Sequence, residues 1–220
     1  MTEKREIRKY TFTVEGETEK WYFQWLQKSI NAIPESKYTV VIDAKVEQSP
    51  KKFAKKVNPL SVPNAVHVCD YESNSDTHVK KFQRIIDEIR DANKLKGCSF
   101  KYELRYSNFT FELWMILHKV DCNGILTDRT QYLQPINRAY SESFESLDKY
   151  KEEKGFAKCL SKLTLDDVKS AIRRSDRLMS LKESRGIDPQ EYKGIRYYKD
   201  NPALTIWEPV KRILSDCNLL

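Results

Sequence analysis

The segment Tyr10-Thr-Phe-Thr-Val-Glu15-Gly16-Glu17-Thr18-Glu19, read together with Val66-His-Val-Cys-Asp70-Tyr71-Glu72, decides the fold class. In both, a short run of β-branched and aromatic residues ends abruptly in carboxylates. Strands 1 and 3 of an open α/β sheet end this way, and such sheets bind ligands outside the carboxyl ends of their strands. Carboxylates gathered at that edge suit a hard cation such as Mg²⁺, which is held by one or two carboxylates plus substrate phosphates. The pair points towards phosphoryl-transfer chemistry.

Outward from these two segments, strand and helix patterns alternate through the first 120 or so residues. Lys9–Glu15 alternates apolar and polar residues. Glu17–Ala32 then places Trp21, Tyr22, Trp25, Leu26 and Ile30 at helical spacing, and Pro34 ends that helix. Tyr38–Val46 is β-rich, Pro50–Val57 reads as a short amphipathic helix, and Asn64–Cys69 is a second β-branched run. Thr77–Leu95 aligns Val79, Phe82, Ile85, Ile86, Ile89 and Ala92 on one face, with Gly97 as its stop. Ser99–Tyr106 alternates again, and Asn108 is placed to cap a helix from Phe109 to about Lys119. Four strand–helix units predict a parallel sheet of about four strands with helices on both faces. Beyond Asp121 no convincing strand is legible. Helical patterns occupy Asp128–Tyr140, Thr164–Leu181 and Leu204–Cys217, and the polar Ser141–Gly155 reads as a loop or frayed helix. The expected organisation is an α/β core over residues 1–121 and a helical extension over 122–220 packed on it.

Each carboxylate has a structural alternative to a functional role. Glu15 follows a strand and precedes Gly16, which permits close ligand approach. Glu17 and Glu19 fall in a first helical turn, where negative charge complements the macrodipole. With Gly16 as cap, Glu19 takes the third helical position, while Glu17 is read as solvated. Asp70 and Glu72, two residues apart, face the same side if extension continues, so both can reach one cation. The competing reading there is a turn, with Ser75 or Asp76 capping the next helix. Glu112 is a charge amid Phe109, Phe111, Leu113, Trp114 and Met115, and no capping box accounts for it. His118 reads as a capping or core histidine.

Composition sets outer bounds. The chain has 220 residues, 40% hydrophobic and 32% charged, enough for one well-buried core with an appendage. No apolar run approaches the roughly 18 residues of a membrane span, and the first residues lack an apolar signal core. The expected compartment is the cytoplasm. Five dispersed cysteines (Cys69, Cys98, Cys122, Cys159, Cys217) read as reduced thiols, and the three histidines at 67, 78 and 118 lack zinc spacing. Net charge is +7 with a pI near 9.0. Lys51, Lys52, Lys55 and Lys56 form one cluster; Lys80, Lys81 and Arg84 a second; Arg173, Arg174 and Arg177 a third. Any of these can be a plain solvated helix face. Their coincidence with acidic strand ends matches a nuclease, which needs a cationic approach around an anionic site.

Val14-Glu15-Gly16-Glu17-Thr18-Glu19 resembles the opening motif of TOPRIM domains, especially that of OLD-family nucleases. With Cys69-Asp70-Tyr71-Glu72, the Ser107-Asn108-Phe-Thr-Phe111-Glu112-Leu113-Trp114 to His118 stretch and Asn201-Pro202-Ala-Leu-Thr, the chain is similar to RloB-family proteins over nearly its whole length. The resemblance implies a TOPRIM fold in which Glu15 and Asp70 match the acid after strand 1 and the first acid after strand 3. Glu72 stands where that pattern has a second Asp, and the opening is one residue shorter than the commoner spacing. It also implies bacterial phage defence, with a defence-system ATPase or restriction component as partner. The expected function is a Mg²⁺- or Mn²⁺-dependent nuclease acting on DNA or RNA. Glu15, Asp70 and Glu112 would be catalytic, and Glu15, Glu19, Asp70 and Glu72 would hold metal. Lys51, Lys52, Lys55, Lys80, Lys81 and Arg84 would hold the nucleic-acid backbone. Tyr71 and Phe109 are candidates to stack bases or to fill the core. The rival expectations are a non-catalytic nucleic-acid-binding sensor and a phosphotransfer enzyme acting on nucleotides.

Overall fold

The computed structural model describes residues 5–96, 100–122 and 124–220; the expected helix stop at Gly97 and the thiol of Cys98 lie outside them. Four parallel strands form the centre: β1 (Ile7–Val14), β2 (Thr39–Val46), β3 (Asn64–Asp70) and β4 (Lys101–Asn108). Between them run α1 (Glu17–Asn31), α2 (Pro50–Lys56) and α3 (Asp76–Lys96), and α4 (Glu112–Lys119) follows β4. A turn of 3-10 helix (Arg129–Tyr132) leads into α5 (Leu133–Tyr140), α6 (Leu147–Lys151), α7 (Glu153–Leu160) and α8 (Leu165–Ser184). A small hairpin, β5 (Gln190–Tyr192) and β6 (Ile195–Tyr197), precedes β7 (Ala203–Leu204) and α9 (Trp207–Asp216).

The sheet order is β2-β1-β3-β4-β7, with β7 antiparallel to β4. The chain runs outward from β1 to β2 on one side and from β3 to β4 on the other. The order therefore reverses between β1 and β3, and an open α/β sheet leaves a crevice at such a switch point. Strand pleating sends alternate side chains into two cores. Phe12, Val14, Val66 and Val68 join the larger one, packed by α1, α4, α5, α8 and α9. Ala65 and Cys69 join Phe53, Phe82, Ile85, Ile86, Ile89 and Tyr102 under α2 and α3. The mostly parallel, helix-flanked α/β sheet is as the strand–helix alternation predicts.

The second half of the chain holds three strands that were not legible. All are two or three residues long, too short for period-2 alternation to register. β7 completes the sheet edge beside β4, and α8 and α9 share the larger core with α1 and α4. The polar Ser141–Gly155 segment forms α6 and the start of α7, anchored by the wholly buried Tyr150. Asn108 does not cap α4. It lies in β4, and its side-chain amide donates to the carbonyls of Tyr198 (2.9 Å) and Lys199 (2.8 Å), tying the strand end to the segment before β7. Among the described residues no side chain caps the α4 N-terminus, and at its C-terminus Arg174 donates to the carbonyls of Leu117 (2.8 Å) and His118 (3.0 Å). Among the described residues no helix is long and apolar enough to cross a membrane.

Gly155 marks the closest backbone approach in this region. A Cβ there would sit 2.2 Å from the Lys149 carbonyl oxygen and 2.8 Å from that of Tyr150, both backbone atoms that cannot swing aside. Gly155→Ala is expected to destabilise the fold by about 1–3 kcal/mol through overpacking. A calorimetric midpoint should fall by about 2–4 °C per kcal/mol in a chain of this size. Gly124→Ala, whose Cβ would meet nothing within 4 Å, is the matched control.

Candidate active site

β1 and β3 pair side by side up to Val14 and Val68. One step further, the Glu15 side chain replaces the backbone ladder: its Oε2 accepts from the Asp70 amide N–H at 3.0 Å. The Glu15 carboxylate thus meets the Asp70 backbone at the switch point. Gly16 follows in extended conformation and caps α1. Its need is spatial, because a Cβ would come 3.0 Å from Glu19 Oε2. The bare glycine leaves room for the Glu19 carboxylate, which is 5% exposed and accepts from the Thr18 hydroxyl at 2.9 Å. Glu112 enters from the first turn of α4 with 1% exposure. Its Oε1 pairs with the Lys151 ammonium of α6 at 3.1 Å, and its Oε2 is buried without a hydrogen-bond partner among the described residues.

These groups feel one another. Burial raises the Asp70 carboxyl well above the usual range, and the charges of Glu19, Glu15 and Glu112 push it further while Lys151 opposes them. Glu19 is raised to about 7, chiefly by burial and also by Glu112, against the pull of its own helix-terminal amide, Thr18 and Lys151. Lys151 responds in kind. Burial disfavours its charge, but Glu112, Asp70 and Glu19 outweigh that and hold the ammonium above the ordinary lysine range. A cleft of about 420 Å³ reaches this centre at Glu112, its other polar walls being Thr110, Arg129, Thr130, Glu145, Asp148 and Lys151.

Glu72 takes another direction. Its backbone adopts a left-handed conformation (φ 65°), which breaks the extension that would keep it beside Asp70. Burial works against its ionisation, yet Lys81 and His78 hold its carboxyl below the usual range. Lys81 lies between two acids, hydrogen-bonded to Glu72 and 3.2 Å from Glu15 Oε1, while His78 Nε2 is 3.0 Å from Glu72. Among the described residues no group of three or more His, Cys, Asp or Glu side chains stands ready to hold a metal ion. A magnesium ion needs only one or two carboxylates with water and phosphate completing its shell, so the donor set decides the fit. Among the described residues Glu112 Oε2 is buried without a partner, while Glu112 Oε1 and Glu15 Oε1 are buried with ammonium groups at 3.1 Å (Lys151) and 3.2 Å (Lys81). Four carboxylates face two ammonium groups, and all the donors are hard oxygens. Hard oxygen donors of this kind suit a hard divalent cation, and Glu15, Glu19, Asp70 and Glu112 are the residues that would hold one.

The remaining sequence candidates are placed as follows. Glu17 is exposed and pairs with Lys20 at 2.9 Å. Ser75 caps α3, its hydroxyl accepting from the His78 amide. His118 is a core histidine: it contacts the Trp114 carbonyl through Nδ1 and the Tyr22 hydroxyl through Nε2, and burial lowers it to about 4. Tyr71 and Phe109 are both buried, at 1% and 6% exposure. Lys81 is in the site. Lys80 and Arg84 are exposed on α3, and Lys51, Lys52 and Lys55 are exposed on α2, where Lys51 pairs with Asp91 at 2.9 Å. Arg174 and Arg177 both pair with Asp121, at 3.3 and 2.6 Å. Sequence reasoning missed Lys151 and Arg129. Lys151 is one of several lysines in a polar stretch, and no periodicity separates it from Lys149 or Lys154.

The chain matches the RloB-like protein family over residues 10–213. It belongs to that family. No curated protein and no solved structure matches it.

A buried acid that keeps its proton to about pH 7 makes the fold pH-sensitive. Between the ordinary glutamate value near 4.5 and about 7, the unfolded chain releases the Glu19 proton while the folded chain retains it, so stability falls as pH rises through that window. Glu19→Gln removes this loss. In chelating buffer the variant should melt above the wild type near pH 8, by on the order of a few kcal/mol, with the gap closing towards pH 4.5. A gap independent of pH would show that Glu19 carries no such proton.

Proposed function

We propose that this protein is a metal-dependent nuclease of TOPRIM type, hydrolysing phosphodiester bonds of nucleic acid, with a role in bacterial phage defence. The observation that carries the reading is the mutual influence of Glu15, Asp70, Glu19 and Glu112 at the β1/β3 switch point, with Glu19 and Glu112 buried and Glu112 lining a cleft. The TOPRIM resemblance of the opening motif and the family membership agree with it, and fold alone would not suffice.

Glu15 and Asp70, with Glu19 or Glu112, would hold Mg²⁺ or Mn²⁺. When bound, the cation would supply charge to a phosphate oxygen and to the leaving oxygen. The protein's own groups do the rest. Glu19, poised near 7, can take a proton from an attacking water at neutral pH. The Lys151 ammonium, held charged beside Glu112, faces the cleft and offers its protons to a non-bridging phosphate oxygen. Arg129 lies across the same cleft. Lys80, Lys81 and Arg84 would meet the backbone without reading sequence.

One feature favours the rival reading of a non-catalytic nucleic-acid sensor. Lys81 already bridges Glu15 and Glu72, giving part of the acidic edge an internal cation. Mutagenesis with two readouts separates the two. Asp70→Ala and Glu15→Gln are expected to lower cleavage of labelled nucleic acid by about a hundredfold or more, and Lys151→Ala by about tenfold to a hundredfold. Mg²⁺ should raise the melting temperature of the wild type but not of Asp70→Ala. Full cleavage by a well-folded Asp70→Ala protein sinks the mechanism. Oligonucleotide binding with no cleavage of any substrate selects the sensor.

A further inference from the structure

A second groove, about 560 Å³, adjoins the carboxylate cleft. Consecutive residues divide between them: Phe109 lines the groove and Thr110 the cleft, while Thr127 lines the groove and Arg129 and Thr130 the cleft. The groove also borders Ser73 and Asn74, directly after the β3 acids. Its walls are of two kinds. Ile125, Leu181 and Ile187 expose apolar surface, at 76%, 41% and 37%. Lys182, Arg185 and Lys199 supply positive charge against the single carboxylate of Asp200.

Lys182 is the telling group. It is 7% exposed, and among the described residues its ammonium donates one hydrogen bond, to the Asp200 carbonyl at 2.8 Å, above the Tyr198 ring. No carboxylate lies within ion-pair distance of it among the described residues, and burial holds its pKa below the usual range despite the Asp200 charge. Enclosing an ammonium without a counter-ion is costly unless an anion completes it. Phosphate would supply that charge. The apolar wall selects further. A duplex stacks its bases internally and presents phosphates and base edges, whereas an unpaired strand offers base faces to apolar side chains.

We propose that this groove binds an unpaired segment of nucleic acid, with phosphates on Lys182, Arg185 and Lys199 and base faces on Leu181, Ile187 and Ile125. The proposal rests on the nuclease reading for its link to the neighbouring cleft, and it makes single-stranded or looped nucleic acid the substrate class. Fluorescence anisotropy in chelator tests it on the full chain, using a labelled unpaired oligonucleotide and the blunt duplex of the same sequence. Wild type is expected to bind the unpaired probe at least about tenfold tighter than the duplex. Leu181→Glu and Arg185→Glu, both exposed and each checked by melting, should each weaken unpaired binding about tenfold. Equal affinity for duplex, unchanged affinity in both groove variants, or no binding of the unpaired probe overturns the groove. Groove-dependent binding with no metal-dependent cleavage keeps the groove and removes the nuclease. Metal-dependent cleavage that the groove variants leave untouched does the reverse.

Discussion

One hydrogen bond organises the acidic edge of this protein: the Asp70 amide donating to Glu15 Oε2 where the β1–β3 ladder ends. Backbone pairing stops there because the two strands lead to opposite sides of the sheet. A carboxylate takes over the role of a carbonyl, and a charge is thereby fixed at the one place where the sheet leaves a crevice. Gly16 follows from this placement, since Glu19 must fold back into the same space. So does Lys151, whose charge is sustained by three of the acids it faces.

The arrangement sets two kinds of acid apart. Glu72 is neutralised locally by Lys81 and His78 and stays ionised. Asp70 and Glu19 are buried among like charges, which drives them towards protonation or towards a cation. Environments that separate carboxyl pKa values are how one site can hold both an acid and a base near neutrality. Here the separation arises from a single left-handed residue, because Glu72 turns away at φ 65° instead of continuing the strand.

Much of this was legible in the chain. Abrupt carboxylates after β-branched runs located Glu15 and Asp70, because strand ends in this architecture have one fate. Helix α3 was equally plain, its six apolar positions all falling on one face. What escaped reading was set by contacts distant in sequence. Asn108 looked like a cap, yet its amide is claimed by carbonyls about ninety residues away. The three late strands are too short to carry a period. Lys151 reaches the site because Gly155 lets α7 close against α6, and neither residue announces that role. Glu72 fell to backbone sign, which spacing does not encode.

The Asn108 clamp and β7 have a consequence for the order of events during synthesis. The acids emerge first, on the opening strands, but the β4 edge is covered only by residues 203–204, and Lys151 comes late as well. Tyr10 at the start hydrogen-bonds Asp216 near the end, at 2.8 Å. A nascent chain that has not yet reached residue 203 therefore carries the acidic residues without the edge strand or the closing helix. Domains are made amino-terminus first and fold as units. In this one the acidic ends of β1 and β3 are made well before the residues that complete the charged edge, Lys151 and the β7 strand.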